Sequence, residues 1–165
     1  MSSNDPKDYN YANRDKENFQ KFIIDGIEHK IFLSGEDTQE KYSLVEMLFP
    51  TEEEKEIPLH RHSKETVIIS IIEGTFQFKY GEQNIEGKEE MVFKFEKNIP
   101  HSYKKIGKNR GRLVLLFIPG GFENFFKDIG DLSKNKSQVS GGGGEDERVL
   151  LHLLEKKYEG RYVFE

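Results

Sequence analysis

The feature that most constrains this chain is a series of short apolar segments, separated by turn residues, between residues 21 and 119. In residues 75–80 aromatic side chains alternate with polar ones, as in a strand with one buried face. β-branched and aromatic residues dominate the segments, and glycine-containing turns separate them. Six or more strands at this spacing predict an all-β sandwich or barrel. The segments are 30–33, 42–49, 66–72, 75–80, 90–95 and 112–118.

The two ends of the chain differ from this middle part. Residues 1–20 have almost no apolar side chains, so we expect a flexible N-terminal arm. After residue 120 the apolar period becomes that of a helix, and Gly130 is expected to end this helix. The helix would present one apolar face, made of Phe122, Phe125, Phe126 and Ile129.

These changes of pattern divide the chain into four parts. The predicted β-barrel with its trailing short helix covers residues 21–130 and follows the arm. Residues 131–144 are rich in Ser, Gly and Lys and are interpreted as a flexible linker. Residues 145–165 are predicted to form an amphipathic C-terminal helix and a tail.

Composition limits the class of function. The chain has 165 residues and a net charge of −5, which argues against a whole-domain nucleic-acid binder. It contains no cysteine, which excludes disulfides, thiolate metal sites and cysteine nucleophiles. We find no apolar run long enough for a membrane span and no signal-peptide pattern. We therefore expect a cytoplasmic protein without a membrane partner.

Histidine is the residue type that carries the chemistry. His60 and His62 are two residues apart, so on a strand both imidazoles face the same side. His101 follows Pro100 at the start of another strand-like segment and could supply a third nitrogen. Such imidazoles could bind a divalent transition metal. The alternative is that His60 and His62 are surface residues in a loop.

Several segments resemble the cupins, in particular small quercetin dioxygenase-like cupins. Residues 58–62, with the strand that ends at 72–76, resemble the first cupin motif, and residues 98–103 resemble the end of the second. The similarity covers roughly residues 28–165. Further segments that resemble the small quercetin dioxygenase-like members are 34–38, 118–126 and the residues around 158–160.

The resemblance implies a double-stranded β-helix, which is an antiparallel β-barrel, with a helical C-terminal extension. It also implies one Fe, Mn, Ni, Cu or Zn ion held by three histidines and a glutamate. His60, His62 and His101 match the histidine ligands, but Val67 stands where the family has its glutamate. Glu65 has the same strand parity as Val67, so it is the candidate for the fourth ligand and for a catalytic base.

A substrate pocket can be outlined from strand parity. If His60 and His62 face inward, then Val67, Ile69 and Ile71 face inward as well. Phe76 and Phe78 would continue this apolar interior, and Tyr103 shares the face of His101. Such a pocket suits a flat organic compound better than a sugar phosphate. The alternative is that these side chains simply fill the barrel.

Three functions remain open at this point. The first is a metal-dependent, dioxygenase-like enzyme that acts on a small aromatic or flavonoid-type compound. The second is a non-catalytic small-molecule-binding cupin that has lost the glutamate ligand. The third is a sugar isomerase or epimerase, which would need polar residues at the apolar pocket positions. Exposed sheet edges and the Leu-rich last helix also predict a homodimer.

A basic cluster is the remaining feature. It could attract an anionic substrate or nucleic acid, but we interpret it as a solvated turn because no aromatic ladder accompanies it. Its members are Lys97, Lys104, Lys105, Lys108, Arg110 and Arg112.

Overall fold

The computed structural model describes residues 18–136 and 162–164, and side chains are described for residues 18–131. These parts of the chain form eleven strands and one helix, α1 (Glu123–Lys136). No helix in them is long and apolar enough to cross a membrane. The strands are β1 (Gln20–Ile24), β2 (Ile27–Leu33), β3 (Ser43–Phe49), β4 (Glu56–His62), β5 (Thr66–Glu73), β6 (Thr75–Tyr80), β7 (Gln83–Gly87), β8 (Val92–Phe95), β9 (His101–Ile106), β10 (Gly111–Ile118) and β11 (Tyr162–Phe164).

The strands form two antiparallel sheets that face each other. One has six strands in the order β1-β2-β3-β10-β5-β8, and the other has five in the order β11-β4-β9-β6-β7. This confirms the predicted all-β fold with a C-terminal helix. Six of the observed strands, β2, β3, β5, β6, β8 and β10, coincide with the predicted apolar segments.

The core lies between the sheets and follows from strand alternation. On β5 and β10 every second residue is buried, and the paired residues Ile69 and Leu115 both face inward. Val67 and Phe117 form the next inward pair along these strands. Each fully buried aliphatic or aromatic side chain contributes about 1.5–3 kcal/mol relative to an exposed one. This apolar packing holds the two sheets in a fixed relation and so positions the residues between them.

Helix α1 packs against the barrel by its apolar face. Phe122, just before the helix, and Phe125 and Phe126 within it are buried, as the period of this segment predicts. The prediction that Gly130 ends the helix is wrong, because α1 continues to Lys136. A Cβ atom at Gly130 would lie 2.3 Å from the ring of Phe22 on β1. Gly130 therefore serves close packing of α1 on β1 rather than helix termination.

Residues 34–38 and 118–126, two of the segments that resemble cupins, contact each other. The buried Glu123 carboxylate accepts the backbone N–H of Gly35 at 2.5 Å and that of Gly121 at 2.8 Å. A Cβ atom at Gly120 would lie 2.6 Å from the carbonyl oxygen of Tyr42. This close approach requires glycine, and it fixes the start of α1 beside the loop that follows β2.

The C-terminal strand β11 adds to the edge of the five-stranded sheet. It pairs with β4 so that Tyr162 lies opposite His62 and Phe164 lies opposite His60. The sequence predicted only a tail here. Residues 131–136 of the predicted linker are helical. Several predicted segments lie outside the described residues. They are the rest of that linker, the arm up to residue 17 and residues 145–161 of the predicted C-terminal helix and tail.

Candidate metal centre

Three histidines meet between the sheets. His60 and His62 lie on β4 with their side chains on one face, and His101 begins β9, where it pairs directly with His60. All three are buried, and one ligand atom from each lies within 4.8 Å of the others. The ring centroids of His60 and His101 are 4.3 Å apart. These residues could hold a metal ion.

Backbone carbonyls fix the orientation of two of these rings. Nδ1 of His60 lies 2.6 Å from the carbonyl oxygen of Pro58, and Nδ1 of His101 lies 3.0 Å from that of Ile99. A carbonyl oxygen only accepts hydrogen bonds, so Nδ1 carries the proton in both neutral rings. The lone pair is then on Nε2, which is the atom that would face an ion.

Burial also keeps the three imidazoles in the form that binds metal. It lowers the pKa of His62 to about 3, with a further lowering from the nearby His101. The pKa values of His60 and His101 are lowered by burial as well, and that of His60 also by the two neighbouring imidazoles. All three rings are therefore neutral at pH 7. Neutral imidazole nitrogens in a buried cluster fit a divalent transition metal ion.

Glu65 adjoins His62 but does not belong to the group of three histidines. Its side chain is fully buried in the short connection between β4 and β5, and Oε2 is 3.6 Å from Nδ1 of His62. It does not belong to the cluster of ligand atoms. Val67, at the position of the family glutamate, is buried and lines the cavity beside the histidines. The structure thus brings together three histidines that could be ligands and places a carboxylate oxygen 3.6 Å from Nδ1 of one of them.

The histidines form one part of the wall of a cavity of about 620 Å³. Val67, Ile69 and Tyr103, three of the candidate pocket residues, line this cavity. Aromatic residues of β10 and the α1 region form much of the remaining wall. They are Phe117, Phe122, Phe125 and Phe126.

The other three predicted pocket residues do not line the cavity. Ile71, Phe76 and Phe78 are fully buried, and Phe76 packs edge-to-face on Phe49 with ring centroids 5.1 Å apart. They fill the barrel, which is the alternative that strand parity left open. Parity finds the inward face of a strand, but it does not tell how far along the strand the packed core gives way to a cavity.

Sequence reasoning missed His29 as a cavity residue. It lies on β2, is buried, and lines the cavity next to Phe126, with ring centroids 4.6 Å apart. A signal was present: His29 alternates in phase with Ile27 and Ile31, both of which face the core. The imidazole therefore had to face inward as well.

The charged residues that line the cavity are acidic. Asp25 and Glu56 contribute to its lining, whereas no Lys or Arg of the described chain does. Tyr103 supplies a hydroxyl whose pKa is raised by burial, so it remains a hydrogen-bond donor. In the structure this hydroxyl is 3.5 Å from the sulfur of Met47. Asp25 and Glu56 are both exposed, and Asp25 pairs with Lys55 at 3.4 Å, so the buried part of the wall, as the described residues form it, carries no charge apart from an ion that the histidines could bind.

The basic cluster is not the simple solvated turn that the sequence suggested. Lys105 is fully buried and donates to the carbonyl oxygens of Pro50 and Asn109, each at 2.9 Å. Acidic residues distant in sequence neutralise other members, so the cluster offers little unpaired positive charge to nucleic acid. The ion pairs are Arg110–Glu73 at 2.8 Å, Lys104–Glu54 at 2.6 Å and Arg112–Glu46.

Comparison with known families agrees with this geometry. The family described as "Cupin domain" matches residues 47–118, which contain all three histidines of the cluster. No curated protein sequence matches the chain. An RmlC-like cupin from Shewanella frigidimarina has a TM-score of 0.56 at 16% identity, covering 67% of this chain and 93% of that one.

Two further solved structures share the fold. A predicted oxalate decarboxylase from Thermotoga maritima has a TM-score of 0.55 at 20% identity, covering 61% of this chain and 91% of that one. The polyketide cyclase RemF from Streptomyces resistomycificus has a TM-score of 0.54 at 15% identity, covering 66% and 79%. These similarities concern the fold, and the proteins that share it differ in their chemistry.

Proposed function

We propose that this protein, a small cupin, binds one divalent transition metal ion and acts as a dioxygenase-like enzyme on a small aromatic compound. The supporting observation is the cluster of His60, His62 and His101 in the wall of a cavity that is otherwise mostly apolar and aromatic. The ion, when bound, would supply Lewis acidity and open coordination positions. Its identity among Fe, Mn, Ni, Cu and Zn is left to experiment.

The residues around the cluster favour an uncharged, flat substrate. Phe122 lies against His62 with ring centroids 4.5 Å apart, so an aromatic ring bound near the ion would contact this side chain. Aliphatic and aromatic side chains form most of the wall, which favours an apolar ligand. A flavonoid-type compound, with an oxygen that can reach the ion and rings that can pack on phenylalanine, fits these constraints.

We assign Glu65 to positioning His62. Its Oε2 lies 3.6 Å from Nδ1 of His62. A small approach would let the carboxylate accept a hydrogen bond from that nitrogen, and such a contact orients a metal-binding histidine and makes it a stronger ligand. Direct coordination, and a role as the base that accepts a substrate proton, are less well supported. Glu65 does not belong to the nitrogen cluster and does not line the cavity.

One observation favours a non-catalytic small-molecule-binding cupin as the second candidate. Val67 supplies a hydrocarbon side chain at the position of the family glutamate. Three neutral nitrogens attract a cation less strongly than a set that includes a carboxylate. The third possibility, a sugar isomerase or epimerase, needed polar groups at Ile69, Ile71, Phe76 and Phe78. Of these only Ile69 lines the cavity, and its apolar side chain gives no support to this function.

The test starts with elemental analysis of protein purified without a metal-affinity tag, followed by titration with each candidate metal. Oxygen uptake is then measured with a panel of flavonols. We expect one metal ion per chain and uptake that is lost in His62→Ala. If no metal is present and none binds on titration, the oxygenase proposal fails. Metal binding without uptake, combined with flavonol binding, supports the non-catalytic alternative.

We also propose a homodimer. The two outer strands of the six-stranded sheet expose apolar residues, with Ile23 on β1 exposed by 66% and Val92 on β8 by 62%. Exposed edge strands with apolar side chains favour association. Light scattering of the full chain tests this, and a monomer at micromolar concentration would contradict it.

A further inference from the structure

His29 is a buried imidazole that the proposed metal centre does not use. It lines the same cavity as the cluster but lies on β2, in the opposite sheet. The group of ligand atoms within 4.8 Å of one another consists of His60, His62 and His101 and does not include it. Its role must therefore be sought in the cavity itself.

The hydrogen bonding of His29 fixes what the ring can offer. Nδ1 lies 3.0 Å from the carbonyl oxygen of Ile27, so Nδ1 carries the proton and Nε2 carries the lone pair. Burial lowers the pKa of His29 to about 4, so the ring is neutral at pH 7. Its remaining polar atom is thus a hydrogen-bond acceptor in the cavity wall, where the ring packs against Phe126.

A continuous series of aromatic rings connects His29 with the metal centre. Phe126 contacts His29, and its ring centroid is 5.4 Å from that of Phe122. Phe122 in turn lies against His62. A flat ligand packed along these rings would reach the three histidines at one end and His29 at the other.

We propose that His29 selects ligands that carry a hydroxyl group, of which a phenol is the best example, by accepting its hydrogen bond at Nε2. This deepens the proposed function and rests on it only in taking this cavity as the substrate site. A donor that is missing or methylated leaves a buried acceptor without a partner, and this costs about 10-fold or more in affinity. A carboxylate is a poor match for this position, because the lone pair at Nε2 offers it no proton.

The experiment compares phenol with anisole, its methyl ether, as probes. Both are titrated into the full-length, metal-free protein, and dissociation constants are measured by calorimetry or by ligand-observed NMR. We expect phenol to bind about 10-fold more tightly than anisole. Phenol should also shift the ¹⁵N resonance of His29 Nε2, and this measurement needs no variant.

Three variants assign the preference to His29. His29→Phe should bind the two probes equally, and His29→Gln, which keeps an acceptor, should retain part of the preference. Glu73→Gln, which changes a partly exposed carboxylate that does not line the cavity, is the control and should keep the preference. Equal binding of the two probes to the wild type, binding of neither, or a preference that survives in His29→Phe would overturn the proposal.

Failure of this proposal can be told apart from failure of the proposed function. The phenol preference is measured without metal, so a lack of metal binding or of oxygen uptake would leave it unaffected. Conversely, a flavonol-dependent oxygen uptake combined with equal binding of phenol and anisole would retain the enzyme and remove the role of His29.

Discussion

His29 and two histidines of the cluster share the same local hydrogen bond to the backbone but support different chemistry. His29, His60 and His101 each direct Nδ1 to the carbonyl oxygen two residues earlier, and each is buried and neutral. His60 and His101 are opposite each other on paired strands, whereas His29 is in the other sheet. A buried, oriented imidazole therefore becomes a candidate metal ligand only where strand pairing supplies further nitrogens, and elsewhere it is a single hydrogen-bond acceptor.

The most direct test of this difference removes one imidazole from the cluster and, in a second variant, the imidazole of His29. His62→Ala should lower the affinity for zinc by more than 100-fold, because the ion loses one of three protein ligands. His29→Ala should leave zinc affinity within a few-fold of the wild type. Competition with a chromogenic chelator measures both. Equal losses in the two variants would mean that His29 belongs to the metal centre.

The second prediction concerns pH and stability. The unfolded chain protonates His29 near its ordinary pKa of 6.5, whereas the folded protein resists protonation down to about 4. The contribution of the neutral His29 ring to the free energy of unfolding is therefore complete above about pH 6.5 and is lost as the pH falls toward 4. It amounts to about 3 kcal/mol for this residue.

The cluster histidines act in the same direction, so the wild type should lose stability steeply over this range. His29→Phe should lose less. Urea unfolding near neutral pH and near pH 5 measures the difference between the two proteins. If His29→Phe has the same pH dependence as the wild type, the ring is not held neutral by burial.

Glu65 provides a third comparison between the histidine cluster and His29. A buried carboxylate adjoins His62, whereas a backbone carbonyl oxygen accepts the hydrogen bond of His29. Glu65→Gln should lower zinc affinity by about 10- to 100-fold through weaker orientation of His62. The matched control is Glu73→Gln, which removes a partly exposed carboxylate paired with Arg110 and should leave zinc affinity unchanged. A loss as large as that in His62→Ala would instead indicate that Glu65 coordinates the ion.

The smallest expected effect concerns the contact between Gly130 on α1 and Phe22 on β1, neither of which lines the cavity. Gly130→Ala should destabilise the protein by about 1–2 kcal/mol, because the new methyl group would lie 2.3 Å from the ring of Phe22. Alanine favours a helix over glycine by about 1 kcal/mol, which offsets part of the clash. Thermal or urea unfolding measures the loss.

Combining Gly130→Ala with Phe22→Leu checks the mechanism. The effects of the two changes should be less than additive if the clash is the cause. Zinc affinity should stay unchanged, because the altered contact lies between α1 and β1. Increased stability in Gly130→Ala alone would contradict the tight contact.

Much of the fold followed from local pattern. Alternation in residues 75–80 and the apolar runs at 66–72 and 112–118 predicted strands that the structure confirms. The strands that were not predicted, such as β7 and β11, are short, and their residues give a weak pattern when taken alone. The helix was predicted from its apolar face, but its end was not, because the contact that accounts for Gly130 comes from Phe22 on β1.

The candidate site was predictable where it depended on parity. His60 and His62 had to face one way on a strand. His101, at the start of another strand-like segment, was a candidate for the third nitrogen, and the family resemblance matched it to a histidine ligand. Three features were not predictable from the sequence. They are the position of Glu65 beside His62, the packing of Phe76 in the closed core and the inclusion of His29 in the cavity. Each of these depends on the distance between residues of different strands.

The amino-acid sequence by itself determined which side chains face inward on each strand and that the chemistry of the site would be that of imidazole. Only the tertiary structure decided which imidazoles meet. The physical reason is that alternation is a property of one strand, whereas convergence requires the register of β4 with β9 and the stacking of one sheet on the other. Those are set by the packing of the whole barrel.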